Sequence, residues 1–352
     1  MLIGIKNFIS NNLIEQKKKL FTINSIILFV YTLIISYVIG IRDSSIGSDT
    51  QAYKNFYNLI SQNIETRISE YFFLILAKTT AIFQLDSSIF LMAVSFLSIT
   101  MYIIFFYKLI EIYDIKLEST KWLFIYISLI ITLISPFFWN SELNVIRVGL
   151  AIPIFLLSIV YFYKEFYLKG TIILLISIFT HFSMLLFLPF LLVFKLKNRS
   201  IFILFLTISL LYISGISQAI FIILSQKFYN IGALSYYFDN ALNERGYKAG
   251  IRYDFWVFTS FFFVLLYKFK DNSNLSNFLI RLYFILFIPF LLIGYINFSD
   301  RLLLAVWSLI PATIGYLIIK KLKNNELTHM FLFILLIIIS IIFLFNYNLL
   351  EV

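Results

Sequence analysis

The 352-residue chain is 61% hydrophobic and 13% charged, carries a formal net charge of +10 and has no cysteine. That balance excludes an ordinary soluble domain, and the missing cysteines exclude disulfides, thiolate nucleophiles and zinc–thiolate sites. The repeated apolar runs have the length of roughly 20 residues that spans bilayer hydrocarbon, so the excess positive charge is expected to mark cytoplasmic loops rather than a nucleic-acid partner.

Residues 1–19 place Leu2, Ile5, Phe8, Ile9 and Leu13 close to helical spacing and end in Lys17-Lys18-Lys19. This predicts an interfacial helix on the cytoplasmic face. The first apolar run, 21–41, then crosses from inside to outside and is too long for a cleaved signal. A polar loop, Arg42 to Tyr53, follows it on the outer side. Further spans are predicted at 88–107, 122–139, 148–163, 201–224, 255–267, 282–298, 302–319 and 330–349. No β-barrel pattern of short alternating segments is present.

Two segments are ambiguous. Residues 70–84 are short, open with Glu70 and contain Lys78, while 171–194 has His181 near its middle and Pro189 beyond. If each crosses once, the 28 Lys and Arg divide into 14 inside and 14 outside. If 70–84 is re-entrant or interfacial and 171–194 is a hairpin bent at His181, they divide into 18 inside and 10 outside. The second arrangement follows the positive-inside rule and is the one expected. The fold class is then an all-α polytopic membrane bundle of about 10–12 membrane segments in a single transmembrane domain. Residues 42–69 and 225–254 form its outer loops.

That topology gathers the polar residues on the outer side, above an expected cavity floored near His181. Asp43 and Asp49 read either as loop solubility with Asp49-Thr50 capping a helix at 51–60, or as a general base or sugar ligand. Asn144 and Arg147, at i and i+3, are expected on one helix face, with Arg147 either snorkelling to head groups or facing a phosphate. His181, followed by Ser183, lies in an apolar stretch where an ionisable residue is a functional candidate. Arg252 and Asp300-Arg301 read as ordinary turn charges or as further cations for an anionic group. The tyrosines of 225–254 suit a sugar surface or a membrane interface equally. One intramembrane histidine without a carboxylate motif gives no metal site. Walker, Rossmann and G-x-S-x-G motifs are absent, so no cofactor is expected.

The ordered pattern Arg42…Gly47-x-Asp49-Thr50-x-x-Tyr53, Glu70, Asn144-x-x-Arg147 with Ala151, and His181-x-Ser183 resembles the EpsG family over about residues 20–200. Val148 departs from it, since a glutamine often follows the arginine there. The resemblance implies a Wzy-type polymerase of O-antigen or exopolysaccharide in the bacterial cytoplasmic (inner) membrane, with its active site facing the periplasm or exterior. It implies a growing glycan on undecaprenyl pyrophosphate, transferred to the non-reducing end of a lipid-linked repeat unit. The partners implied are that lipid-linked oligosaccharide, membrane lipid and a chain-length regulator protein. With this substrate, Arg147 takes the pyrophosphate together with Arg301 or Arg252, and Asp49 or His181 is the base. Arg42, Asp43 and Tyr53 position sugars, and Glu70, Asn144 and Ser183 complete the binding set. The competing expectations are a lipid-linked oligosaccharide flippase or transporter, a glycan ligase and a membrane acyltransferase. A flippase would show two similar halves and charges on both sides.

Overall fold

We describe a computed structural model of the chain over residues 2–64, 70–113, 118–220, 223, 250–296 and 298–320, with short stretches at 334–335, 337–338 and 341–342. Side chains are described from residue 19 onward. Most of the 225–254 loop and of the predicted span 330–349 lies outside the described residues. Every regular element among the described residues is helical. Five helices there are long and apolar enough to cross a membrane, or six if a bent pair counts as one span. The chain is thus an all-α multi-pass membrane bundle.

The chain divides into two compact units, Met1–Phe182 with Ile314–Val352, and Ser183–Thr313. In the first, helix α1 (Leu2–Gly40) runs unbroken, so the expected interfacial segment continues directly into the first span. Helix α2 (Thr50–Ser61) buries Tyr53, Phe56, Tyr57 and Ile60. This i, i+3, i+4, i+7 stripe seats a short amphipathic helix against the bundle. Its partners are Phe73 and Ala77 of α3 (Tyr71–Ile82), Phe90, Leu91 and Val94 of α4 (Ser87–Ile110), and Ile146, Leu150 and Ile154 of α7 (Ile146–Tyr163). The Tyr57 hydroxyl donates to the Leu85 carbonyl at 2.5 Å and ties α2 to the α3–α4 turn. Twelve residues rise only about 18 Å, so α3 is too short to cross, in line with the expected re-entrant or interfacial segment.

The predicted span 122–139 is broken. Helix α5 (Glu118–Ile134) stops before Pro136, and α6 (Pro136–Leu143) leaves at 73°. Proline opens α6 at its first turn, where a missing N–H costs nothing. Gly149 lets α6 fold back on α7, because a Cβ there would lie 2.6 Å from the Ser141 carbonyl oxygen. Helix α8 (Tyr167–Thr180) packs along α7 and stops at His181, whose φ of −157° and ψ of 121° are extended. Ser177 of α8 donates to the Ala151 carbonyl of α7 at 2.8 Å. The interruption expected at His181 is therefore present.

The second unit starts one residue into a 3₁₀ segment, Phe182–Lys195, and continues through α9 (Asn198–Ile213), α10 (Tyr253–Lys268), α11 (Asn274–Ile293) and α12 (Ser299–Trp307). Helix α13 (Ile310–Ile319) bridges the boundary between the units. The span expected at 282–298 begins eight residues earlier, at Asn274. The core here is aromatic: Phe205 lies 4.4 Å from Phe263, centroid to centroid, and the Tyr283 hydroxyl donates to the Thr259 carbonyl at 2.9 Å.

Candidate active site

Three interruptions in the first unit bring its polar residues together. The chain leaves α6 at Asn144, enters α7 at Ile146, starts α3 after Glu70 and leaves α8 at His181. Glu70 lies between the other two ionisable residues: Arg147 Nη1 donates to Glu70 Oε2, and His181 Nδ1 meets Glu70 Oε1. The carboxylate is buried, with 7% of its side-chain surface exposed, while Arg147 and His181 keep 32% and 26%. The acid thus lies beneath, and the guanidinium and imidazole face the accessible side. Tyr53 of α2 is a further hydrogen-bonding partner of Arg147.

Burial acts to raise the Glu70 pKa, but the bonds and charges of His181 and Arg147 outweigh it and hold the carboxyl below its ordinary value. A carboxylate at Nδ1 also selects the imidazole tautomer, with Nδ1–H donating to it and Nε2 left as the acceptor. Arg147 is the second residue of α7, whose N-cap Val145 has no capping side chain. Free backbone N–H groups and the positive end of the helix dipole point there, which favours an anion. The same dipole disfavours a cation, which accounts for the Glu70 counter-charge. Guanidinium and helix end together place positive charge on the accessible side of the cluster.

The polar loop after α1 forms a second cluster. Arg42 is buried at 2% exposure, and each of its three guanidinium nitrogens donates to protein. Nε donates to Thr50 Oγ1 at 2.9 Å, Nη1 to the Ile39 carbonyl at 2.9 Å and Nη2 to the Leu143 carbonyl at 3.3 Å. Burial pulls this guanidinium down to about 10, against the raising effect of Glu142 and Tyr53, so it remains charged at neutral pH. Asn144 Oδ1 accepts from the Ser48 backbone N–H at 2.7 Å, and its Nδ2 donates to Asn140 Oδ1 at 2.8 Å. Gly47, at φ +84°, passes so close that a Cβ would lie 2.7 Å from the Leu143 carbonyl oxygen. Loop 42–50 is therefore latched onto the α6 end by side chain and backbone alike.

These placements amend two expectations. Asn144 and Arg147 do not share a helix face, because the helix breaks between them, and each serves a different cluster. Asp49 stands at the N-cap of α2 but makes no side-chain cap bond; its carboxylate accepts the Ser48 hydroxyl at 2.9 Å. Asp43 is exposed and accepts the Ser45 N–H at 2.8 Å in a local turn. The sequence reading missed Glu142, a buried acid that accepts the Ser98 hydroxyl at 2.6 Å. It also missed Lys54, whose Nζ donates to the Arg42 carbonyl at 2.8 Å. Glu142 gave no signal in the sequence, because only the fold buries Arg42 and brings this acid close enough to act on its charge.

In the second unit Arg252 is paired with Asp254 through two bonds of 3.0 and 2.6 Å and lies 3.7 Å over the Phe255 ring. Its backbone N–H donates to the Tyr212 hydroxyl at 2.9 Å. Arg301 stacks 4.4 Å over Phe298, which enters α12 at a left-handed φ of 60°. Ser183 opens the 3₁₀ segment of this unit. Among the described residues no group of three His, Cys, Asp or Glu could hold a metal ion.

Set against protein families, the chain matches EpsG across residues 25–350. The chain belongs to the EpsG family. Neither the curated proteins nor the solved structures give a match. Membership extends the resemblance of residues 20–200 through the second unit. It brings a polysaccharide polymerase-type role for this EpsG member, on a lipid-linked oligosaccharide in a membrane.

Proposed function

We propose that this chain is a Wzy-type polysaccharide polymerase of the bacterial inner membrane, acting at the outer face on O-antigen or exopolysaccharide repeat units. It transfers a growing glycan from undecaprenyl pyrophosphate to the non-reducing end of a lipid-linked unit. The observation that carries this reading is the Glu70 carboxylate shared by Arg147 and His181. The acceptor hydroxyl oxygen attacks the anomeric carbon and forms the glycosidic bond. The bond from that carbon to the diphosphate oxygen breaks, and its electron pair leaves with the diphosphate. The hydroxyl proton passes to His181 Nε2. Arg147 and the α7 N-terminus stabilise the charge gathering on the leaving group, and Glu70 fixes both side chains. A glycosyl diphosphate is already activated, so no nucleotide is required.

His181 takes the base role ahead of Asp49 because a carboxylate orients its ring. Asp49 and Asp43 lie on the latched loop and are assigned to sugar hydroxyls. Arg42, Tyr53 and Asn144 position the loop and Arg147. Of the other expected binding residues, Ser183, Arg252 and Arg301 belong to the second unit.

The test is an assay of the purified chain in liposomes with defined undecaprenyl-pyrophosphate-linked repeat units, followed by linkage analysis of the product. Polymer carrying one new linkage, with free undecaprenyl pyrophosphate released in step, is the expected result. Lipid moved across the bilayer with every glycosyl diphosphate intact would make the chain a flippase instead.

A further inference from the structure

A cavity of about 630 Å³ opens between α2 and α3. Its walls include Ile60, Ile64, Leu74 and Ile82, and its polar groups include Lys78 and Asn63. Its lining does not include His181, so it is distinct from the floor expected there. Lys78 is exposed, and no ion pair or hydrogen bond engages it among the described residues. It stands before the last turn of α3, which carries no basic residue, so the dipole of the helix end does not account for it. The Asn63 side-chain amide is also without a partner there, although its backbone N–H donates to the Ile60 carbonyl at 3.0 Å. An ammonium and an amide beside aliphatic walls, in a cavity of mixed polarity, are what a phosphate head on a hydrocarbon chain requires.

The proposed reaction brings two diphosphate lipids together. The donor's diphosphate is the leaving group and belongs at Arg147. The acceptor carries its own diphosphate, which does not react in that turnover and needs a separate station. Lys78 lies eight residues beyond Glu70, the N-cap of α3, about 12 Å along the axis, so one helix serves both.

We propose that the α2–α3 cavity holds the acceptor's polyprenyl diphosphate, with Lys78 and Asn63 on the phosphates and the aliphatic walls around the first isoprene units. The need for a second diphosphate rests on the polymerase reading, whereas its binding can be measured alone. A lysine that only snorkels toward head groups would leave that binding untouched when changed.

The full chain in nanodiscs of neutral phosphatidylcholine would be titrated with radiolabelled undecaprenyl diphosphate. Two equivalents should bind to the unaltered protein. Lys78→Glu should leave one, Arg147→Ala should leave the other, and Lys78→Arg should keep both. Asn63→Ala should weaken the Lys78 equivalent about tenfold. In the transfer assay Lys78→Glu should raise KM for the acceptor about tenfold or more, with KM for the donor unchanged. An unaltered count in Lys78→Glu overturns the proposal. So does displacement of the Lys78 equivalent by phosphatidylglycerol as readily as by the diphosphate, which would make this a general head-group contact. If the unaltered protein transfers no glycan, the polymerase reading fails, and with it the acceptor role; the binding count still decides whether a diphosphate site exists at Lys78.

Discussion

Two arginines of the first unit, Arg42 and Arg147, show how one residue type is put to opposite uses. Arg42 is buried, and its donors reach a threonine and two backbone carbonyls, all of them protein. Arg147 keeps 32% of its side-chain surface and is paired with a carboxylate that is itself buried. The first guanidinium fastens a loop; the second is held from below and presented above. Arg42 lies just past the end of α1 and Arg147 in the first turn of α7, so both sit at helix ends, and the difference lies in what the chain supplies around them. Carbonyls at fixed distance spend a guanidinium, and one carboxylate shared with a histidine leaves it room for a second anion.

The sharpest way to break this comparison is to remove the presented member. Arg147→Ala should lower glycan transfer roughly 100- to 1000-fold, the usual loss for one preorganised charge-stabilising donor. Binding of the acceptor should change little. His181→Ala should fall in a similar range, because a positioned base contributes about 10²–10⁴. Initial rates on defined lipid-linked units measure both. An Arg147→Ala chain with near-normal polymer lengths would remove the leaving-group role.

Glu70→Gln tests the shared acid. It keeps the shape and removes the charge that fixes the imidazole and offsets the guanidinium. Breaking one side of a buried ion pair costs about 3–5 kcal/mol; at this partly open site the low end is expected, with a clear loss of activity. The pH dependence has a fixed sign. The Glu70 pKa is lowered in the folded chain, so its stabilisation is complete above the ordinary value of 4.5 and is lost as pH falls below it toward the folded value. Thermal unfolding in detergent should therefore steepen below pH 4.5 for the unaltered chain and flatten for Glu70→Gln.

Much of this site was legible before any coordinates. Glu70, Arg147 and His181 are ionisable residues at the edges of apolar runs, and such residues pair or act. Charge counting also separated α3 and the His181 break from true spans. The partnership of the three was not legible, because they lie 77 and 111 residues apart in sequence. Nor was the helix break between Asn144 and Arg147, which local spacing alone reads as one continuous turn. Pro136 signalled an interruption, but only packing of Gly149 on Ser141 sets the path that follows. Nor did the sequence show that Arg42, expected to position sugars, is buried and donates to Thr50 and to two backbone carbonyls.

The latch should respond differently from the Arg147 cluster. Arg42→Ala removes bonds from a charged donor, each worth about 1.5–3 kcal/mol, and should lower thermal stability more than any Arg147 variant does. Gly47→Ala should act more mildly on the same structure. A residue with a Cβ at left-handed φ costs about 1–2 kcal/mol, and here the added carbon also meets the Leu143 carbonyl oxygen at 2.7 Å. If the loop merely covers the surface, Gly47→Ala will be silent in activity. If it carries Asp49 toward the substrate, KM for the acceptor will rise together with the loss of stability.

The smallest effect separates the two aspartates of the loop. Asp43 is exposed and holds only the Ser45 N–H, a bond that asparagine can also accept. Asp43→Asn should change stability by no more than about 0.5 kcal/mol, and a role on sugar hydroxyls should survive it, since an amide still bonds them. Asp49 is half-buried and adjoins Ser48, which Asn144 holds by its backbone. Asp49→Asn keeps the Ser48 contact but removes the charge. A loss for Asp49→Asn as large as that for His181→Ala would return the base role to the loop and leave the Glu70 carboxylate as a support for Arg147 alone. Near-normal transfer in Asp49→Asn, with loss in His181→Ala, would leave proton removal with the imidazole that Glu70 orients.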